Sequence, residues 1–292
     1  MGKAEEPLLF LAMSSFWGLN YVFLKVALNY ETPFYTLLFR ILFALIFALV
    51  FFRSRIAKPA GLSLNLKLFT FSILNITAFM GLWFYGETTV SAGLSSVLVY
   101  TYPLFTVLLS RIFLRETITL KIIIGVIVGF AGVVVTFSGA FTSGFNAGAI
   151  LLILSAIMWA VGTIYYKKNL SRENPWTVNT FQYVYAIPVI LVLALVTGRF
   201  SVEGFTYEFY LSVLFIGSVG TTFAYFIYLL LYARYKASSI SSFFFLVPAL
   251  SLLFSYLILH EVLSYQTIIG FSIISVGIYL GSGSVKRESS DK

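Results

Sequence analysis

Apolar residues along this chain gather into blocks of about 20, separated by short polar stretches. Ten blocks are legible, at about 8–28, 33–52, 67–86, 92–113, 121–138, 147–167, 177–196, 210–232, 238–259 and 267–283. A block of this length crosses the roughly 30 Å of bilayer hydrocarbon as a helix. Lipid offers no water to an unpaired peptide group, so only helices and closed barrels span it. A barrel shows short alternating segments instead. The pattern predicts an all-α integral membrane protein of ten transmembrane helices. The longest connections, near 53–66 and 197–209, leave no room for an inserted soluble domain.

The polar and special residues inside these blocks recur. At a spacing of 145, Ala92 falls on Ala237, Ser96 on Ser241, Pro103 on Pro248, Ser110 on Ser255, Leu114 on Leu259 and Glu116 on Glu261. Gly125 and Gly132 fall on Gly270 and Gly277 in the same register. Earlier in the unit the spacing is 142, pairing Trp17 with Trp159, Lys25 with Lys167, Glu31 with Glu173, Pro33 with Pro175 and Phe39 with Phe181. Prolines and glutamates repeated at one spacing inside apolar segments mark a duplication. The expected organisation is a first repeat at 8–138, a second at 147–283 and a tail at 284–292. Five helices per repeat is an odd number, so the second repeat enters the membrane inverted. Inverted repeats provide two nearly equivalent conformations, open to opposite sides, with a substrate site between the halves.

Composition agrees: 60% of the 292 residues are hydrophobic, 10% are charged and the mean hydropathy is +0.96. The formal net charge of +8 reflects topology, not a nucleic-acid partner. With the N-terminus inside, 16 of the 19 Lys and Arg residues fall on the inner side, among them Arg53, Arg55, Arg111, Arg115, Lys167, Lys168, Arg234 and Lys236. Lys25 and Arg199 fall outside and Arg40 lies within the second helix. This bias predicts a multi-pass protein of the cell membrane with both termini cytoplasmic. The first block ends on Lys25 without a small-residue cleavage site, and is expected to be a retained helix. There are no cysteines, which removes disulfides and thiolate metal sites. Aromatic residues reach 18%, more than two interfacial belts require, so some are expected to line an interior.

The two five-helix units share an early Trp, a Pro opening the second helix and an Ala…Ser…Pro…Leu-x-Glu…Gly…Gly pattern over the last two helices. In this the chain resembles the EamA family of the drug/metabolite transporter superfamily, over about residues 8–283. The resemblance implies ten helices around a central cavity, lined by helices 1, 3, 4, 6, 8 and 9, with 5 and 10 at the periphery. It also implies movement of small metabolites, often amino acids or related compounds and usually outward.

Helical spacing selects the cavity-facing residues. Helix 1 sets Trp17, Asn20 and Tyr21 on one face, helix 3 Asn75, Phe79 and Trp83, and helix 4 Ser96 and Tyr100. The second half contributes Trp159 with Thr163, Thr221 with Tyr225 and Ser241 with Phe245. A polar side chain in mid-bilayer needs a partner or water. Asn20 and Asn75 stand out, because amides are not readily satisfied by their own helix; helix-to-helix bonding is the alternative for each. Together the aromatics form a box for a substrate with an apolar part. Pro103 and Pro248 lack an amide hydrogen and are expected to free the carbonyls of Val99 and Phe244, as a paired hinge or a static kink. Arg40, whose counterpart is Gln182, and Glu87, whose counterpart is Tyr232, break the symmetry: either they pair across an outer gate, or Arg40 snorkels to the interface and Glu87 is a solvated helix end.

Glu116 and Glu261 precede the N-cap residues Thr119 and Ser264, where a carboxylate favours the helix start. Gly125, Gly129, Gly270 and Gly277 are expected to admit close packing within the chain rather than to form a dimer face, so a monomer is expected. No phosphate-cradling Gly-x-x-x-x-Gly-Lys run occurs, and His260 beside Glu261 makes no metal cluster. No catalytic residue, metal or cofactor is expected. The sequence reads as a secondary transporter of a small metabolite, most plausibly an amino acid and outward-moving. Export of hydrophobic drugs, or transport of sugars or nucleotide sugars, is the alternative within the class, a membrane-embedded enzyme or a channel outside it.

Overall fold

The computed structural model describes residues 5–89, 95, 98–136, 138, 147–198, 206–259 and 265–282. Regular structure there is helical. Helix α1 is Glu5–Ala27 and α2 is Pro33–Phe52. Helix α3 runs Gly61–Glu87, with a π-helical stretch at Ile73–Ala78. Helix α4 is Tyr102–Phe113, α5 Leu120–Thr136, α6 Ala147–Asn169 and α7 Pro175–Thr197. Helix α8 runs Tyr207–Arg234, with its own π-helical stretch at Ser218–Phe223. Helix α9 opens as Ala237–Ile240, tightens to a 3-10 stretch at Ser241–Phe245 and continues as Leu246–Leu259. Helix α10 is Tyr265–Ser282.

Seven of these, α1, α2, α3, α6, α7, α8 and α9, are long and apolar enough to cross a membrane. The other three are apolar but shorter over the described residues. Proline opens α2 and α7, where its missing amide hydrogen would be unpaired anyway. Asn174 caps α7 by accepting the Trp176 amide at 2.9 Å, and Thr206 caps α8 from the Phe209 amide at 3.2 Å.

The helices pack in matching ways. Helix α1 lies against α8 and α9, α6 against α3 and α4, α2 against α7, and α5 against α10. The two π-helical stretches stand 145 residues apart, the spacing at which the sequence repeats. Helices α5 and α10 touch through backbone. A Cβ on Gly125 would fall 2.6 Å from the Gly281 nitrogen, and one on Gly277 would fall 2.4 Å from the Gly129 nitrogen. The glycines therefore serve close packing inside the chain.

Candidate functional site

A cavity opens where α1, α2, α3, α6, α8 and the segment before α4 meet. It is lined by Trp17, Asn20, Tyr21, Arg40, Phe79, Met80, Trp83, Val99, Tyr100, Trp159 and Tyr225. It is narrow: the space open to a water's centre is about 20 Å³, which holds one or two waters. Aromatic faces form most of the wall. Tyr21 lies 5.4 Å from Trp83 and 6.3 Å from Tyr100, centroid to centroid. Phe79 stacks on Trp159 at 4.7 Å, and Trp17 meets Trp159 and Tyr225 edge-on at 5.5 Å each.

Arg40 brings the charge. Its side chain is 1% exposed, and its Nε donates to Thr221 Oγ1 at 2.8 Å. The guanidinium carbon stands 5.7 Å from the Phe84 ring and 6.0 Å from that of Trp83, within reach of cation–π attraction. Its Nη1 is buried and donates to nothing. The indole Nε1 of Trp159 is likewise buried without an acceptor. No Asp or Glu is among the described lining residues.

The wall rests on polar scaffolding. Trp17 Nε1 and Asn20 Nδ2 both donate to the Gly220 carbonyl at 3.1 Å. Asn20 lies so close to Gly220 that a Cβ there would fall 1.7 Å from Asn20 Oδ1. Beyond Trp159 the interior closes. Tyr102 stacks on Trp159 at 3.8 Å, and its hydroxyl meets those of Thr163 at 2.9 Å and Tyr232 at 2.6 Å. Thr163 in turn meets the Tyr228 hydroxyl at 2.6 Å. Further along, Glu116 accepts the amides of Ala237 at 2.8 Å and Ser238 at 2.9 Å. Glu116 is 6% exposed.

Most of the expected box is brought together: Trp17, Asn20, Tyr21, Phe79, Trp83, Tyr100, Trp159 and Tyr225 all line the cavity. Ser96 lies outside the described residues, as do His260, Glu261 and Ser264. Asn75 is not in the wall. Its amide donates to Gln182 Oε1 at 2.9 Å, Gln182 donates to Asn179 Oδ1 at 2.8 Å, and Asn179 donates to the Thr222 carbonyl at 2.8 Å. Thr163 belongs to the hydroxyl chain, Thr221 holds Arg40, and Ser241 donates to its own helix at the Ala237 carbonyl. Phe245 packs toward Gly129, while Phe244 faces Trp17, Tyr102, Trp159, Tyr228 and Tyr232.

The Arg40–Glu87 pair is not formed: Arg40 bonds Thr221, and Glu87 Oε2 accepts from Ser95 at 3.2 Å. Glu116 caps α9 in the opposite half rather than serving α5. There Thr119 accepts the Ile122 amide at 3.4 Å. Pro103 opens its helix, whereas Pro248 lies inside α9. Pro103 is the second residue of α4, and Pro248 the third after the 3-10 stretch, where the Leu246 amide reaches the Phe243 and Phe244 carbonyls. Sequence reasoning missed Met80, Val99 and the tyrosine chain, although Tyr225, Tyr228 and Tyr232 share one helical face.

A family model described as the EamA-like transporter family matches residues 6–138 and again 146–283. The uncharacterized transporter YvbV of Bacillus subtilis (strain 168) is 30% identical over 284 residues, 95% of this chain and 92% of its own length. A chain of Escherichia coli (strain K12) named probable amino-acid metabolite efflux pump is 27% identical over 286 residues, 94% of each chain. A crystal structure superposes with a TM-score of 0.81 over 96% of this chain and 97% of its own, at 17% identity, which speaks to the fold alone.

Proposed function

The chain belongs to the EamA-like transporter family, and from that premise we propose that it exports a small amphipathic metabolite, an amino acid or close relative, across the cell membrane. The observation that carries this reading is the buried aromatic cage with one guanidinium, set where helices of both halves meet. The repeated family match supports two five-helix units, and an odd number of helices in each supports an inverted pair. The bias of Lys and Arg supports cytoplasmic termini. The name of the Escherichia coli relative supports the substrate class and the outward direction.

The arrangement supports alternating access. On the side of the cage where Lys167, Arg111 and Lys236 gather, Trp159, the tyrosine hydroxyls and the Glu116 cap close the path in series. The narrow cavity marks a constricted state, and the inverted partner of this closure would seal the other side when this one opens. Purified protein in liposomes loaded with unlabelled amino acid should accumulate the labelled amino acid by counterflow. A steady leak down the gradient without counterflow would make it a channel. No movement of amino acids, with counterflow of sugars or hydrophobic drugs, would move the substrate class.

A further inference from the structure

We propose that Arg40 forms a carboxylate subsite, so that the cage selects organic acids with an apolar or aromatic body over the corresponding amines and neutral amides. The inference deepens the transporter reading of the same cavity and rests on it for physiological meaning. A guanidinium is always charged and carries five N–H donors. Here Nε is taken by Thr221, Nη1 has no acceptor, and no carboxylate lines the cavity among the described residues. A buried cation left in this condition is costly, and an incoming anion removes that cost. Trp83 Nε1 and Trp159 Nε1 on the wall also lack an acceptor, against one unpaired wall acceptor, Asn20 Oδ1, so donors are in excess. A site with spare donors suits a ligand with spare acceptors. The rings of Tyr21, Phe79, Trp83 and Tyr100 then cover the apolar body. An amine has the ring faces and one free acceptor, Asn20 Oδ1, to meet, and it would stand beside a fixed positive charge. The cavity must widen to admit any of these ligands, so the donors set the sign of selectivity and the opening sets its rate.

Three of the four tryptophans, Trp17, Trp83 and Trp159, line the cavity, which gives a binding signal independent of transport. Detergent-purified protein is titrated with 3-phenylpropionate, 3-phenylpropionamide, 2-phenylethylamine and phenylalanine, following tryptophan fluorescence and thermal shift. The acid and phenylalanine should bind at least about tenfold more tightly than the amide, in keeping with a charge-assisted bond, and the amine should bind least. Arg40→Gln should erase the preference for acid over amide, and Arg40→Lys should keep its sign. Equal binding of amine and acid, a preference that survives Arg40→Gln, or no response to any of the four overturns the proposal. The wild-type comparison needs no variant, so misfolding of Arg40→Gln does not shield it. Acid binding without counterflow would sink the transporter reading and leave the subsite. Counterflow of the amine but not the acid would do the reverse.

Discussion

The two halves of the molecule use the same frame and fill it differently. Each has a helix interrupted by a π-helical stretch, Ile73–Ala78 in the first and Ser218–Phe223 in the second. In each case a residue of the opposite half reaches that stretch: Arg40 of α2 bonds Thr221, and its counterpart Gln182 of α7 bonds Asn75. Two asparagines of the first half meet two glycines of the second. Asn20 rests on Gly220, and Asn75 faces Gly162, where a Cβ would lie 3.4 Å from the Asn75 Cβ. The glycines stand at the positions matching the asparagines, Gly162 at 142 from Asn20 and Gly220 at 145 from Asn75. The frame can stay two-fold while the chemistry is single. The Gln182 arm ends in a chain of amides, and the Arg40 arm ends in an unfilled donor at the cavity.

The sharpest way to break this comparison is at the glycines. Gly220→Ala drives a methyl into Asn20 and should destabilise the protein by about 1–3 kcal/mol, as overpacking does. Gly162→Ala meets only ordinary contact distance and should be nearly neutral. Thermal unfolding of the detergent-purified variants checks both. Asn20→Ala combined with Gly220→Ala should recover most of the loss. Equal losses at the two glycines would show that the two contacts are not alternatives of one design.

What could be read from the sequence follows from how regular the backbone is. The long helices were legible because twenty apolar residues leave lipid few options, and the duplication because prolines and glutamates rarely repeat at one spacing. Counting by fours worked on α1, where Trp17, Asn20 and Tyr21 share a face inside Glu5–Ala27. It failed where the pitch changes. From Ser241 to Phe245 the chain turns about every 3.0 residues in place of about 3.6, so Phe244 takes the inward position and Phe245 turns to Gly129. The wider π turn rotates Asn75 away from Phe79 and Trp83, toward Gln182. The Glu116 cap was illegible for another reason: it spans 121 residues to Ala237, and nothing local foretells it.

A smaller effect separates the arms of α2 and α7. Gln182→Leu leaves the Asn75 amide nitrogen and Asn179 Oδ1 each short of one partner. This should cost about 1–3 kcal/mol in unfolding. Because Gln182 does not line the cavity, the ratio of acid to amide binding should stay at its wild-type value. Arg40→Gln should change that ratio. If Gln182→Leu alters selectivity as much as Arg40→Gln does, the charged arm is not special and the two halves share the site equally.

The smallest stability effect is expected at Pro103, and the comparison with Pro248 bears on motion. A proline in the first turn of a helix removes no hydrogen bond. Pro103→Ala should therefore move unfolding by no more than about 0.5 kcal/mol, the range of an undisturbed substitution. The surroundings of the two prolines differ. Before Pro103 the helix is interrupted at the turn Leu98–Thr101, closed by Thr101 donating to Leu98, and Tyr100 of that turn lines the cavity. Before Pro248 the 3-10 stretch runs on without a break, and its side chains lie outside the wall. Alanine at 103 lets the helix extend back through Tyr100 and reshape the cage, so binding and counterflow should both fall several-fold. Alanine at 248 lets the 3-10 stretch relax toward α-helix one layer behind the wall, where Phe244 packs on Trp17 and Trp159, so counterflow should slow more than binding falls. If both variants carry substrate at the wild-type rate, the turn before α4 and the 3-10 stretch of α9 are fixed bends, and any pivot is to be sought at the π-helical stretches instead.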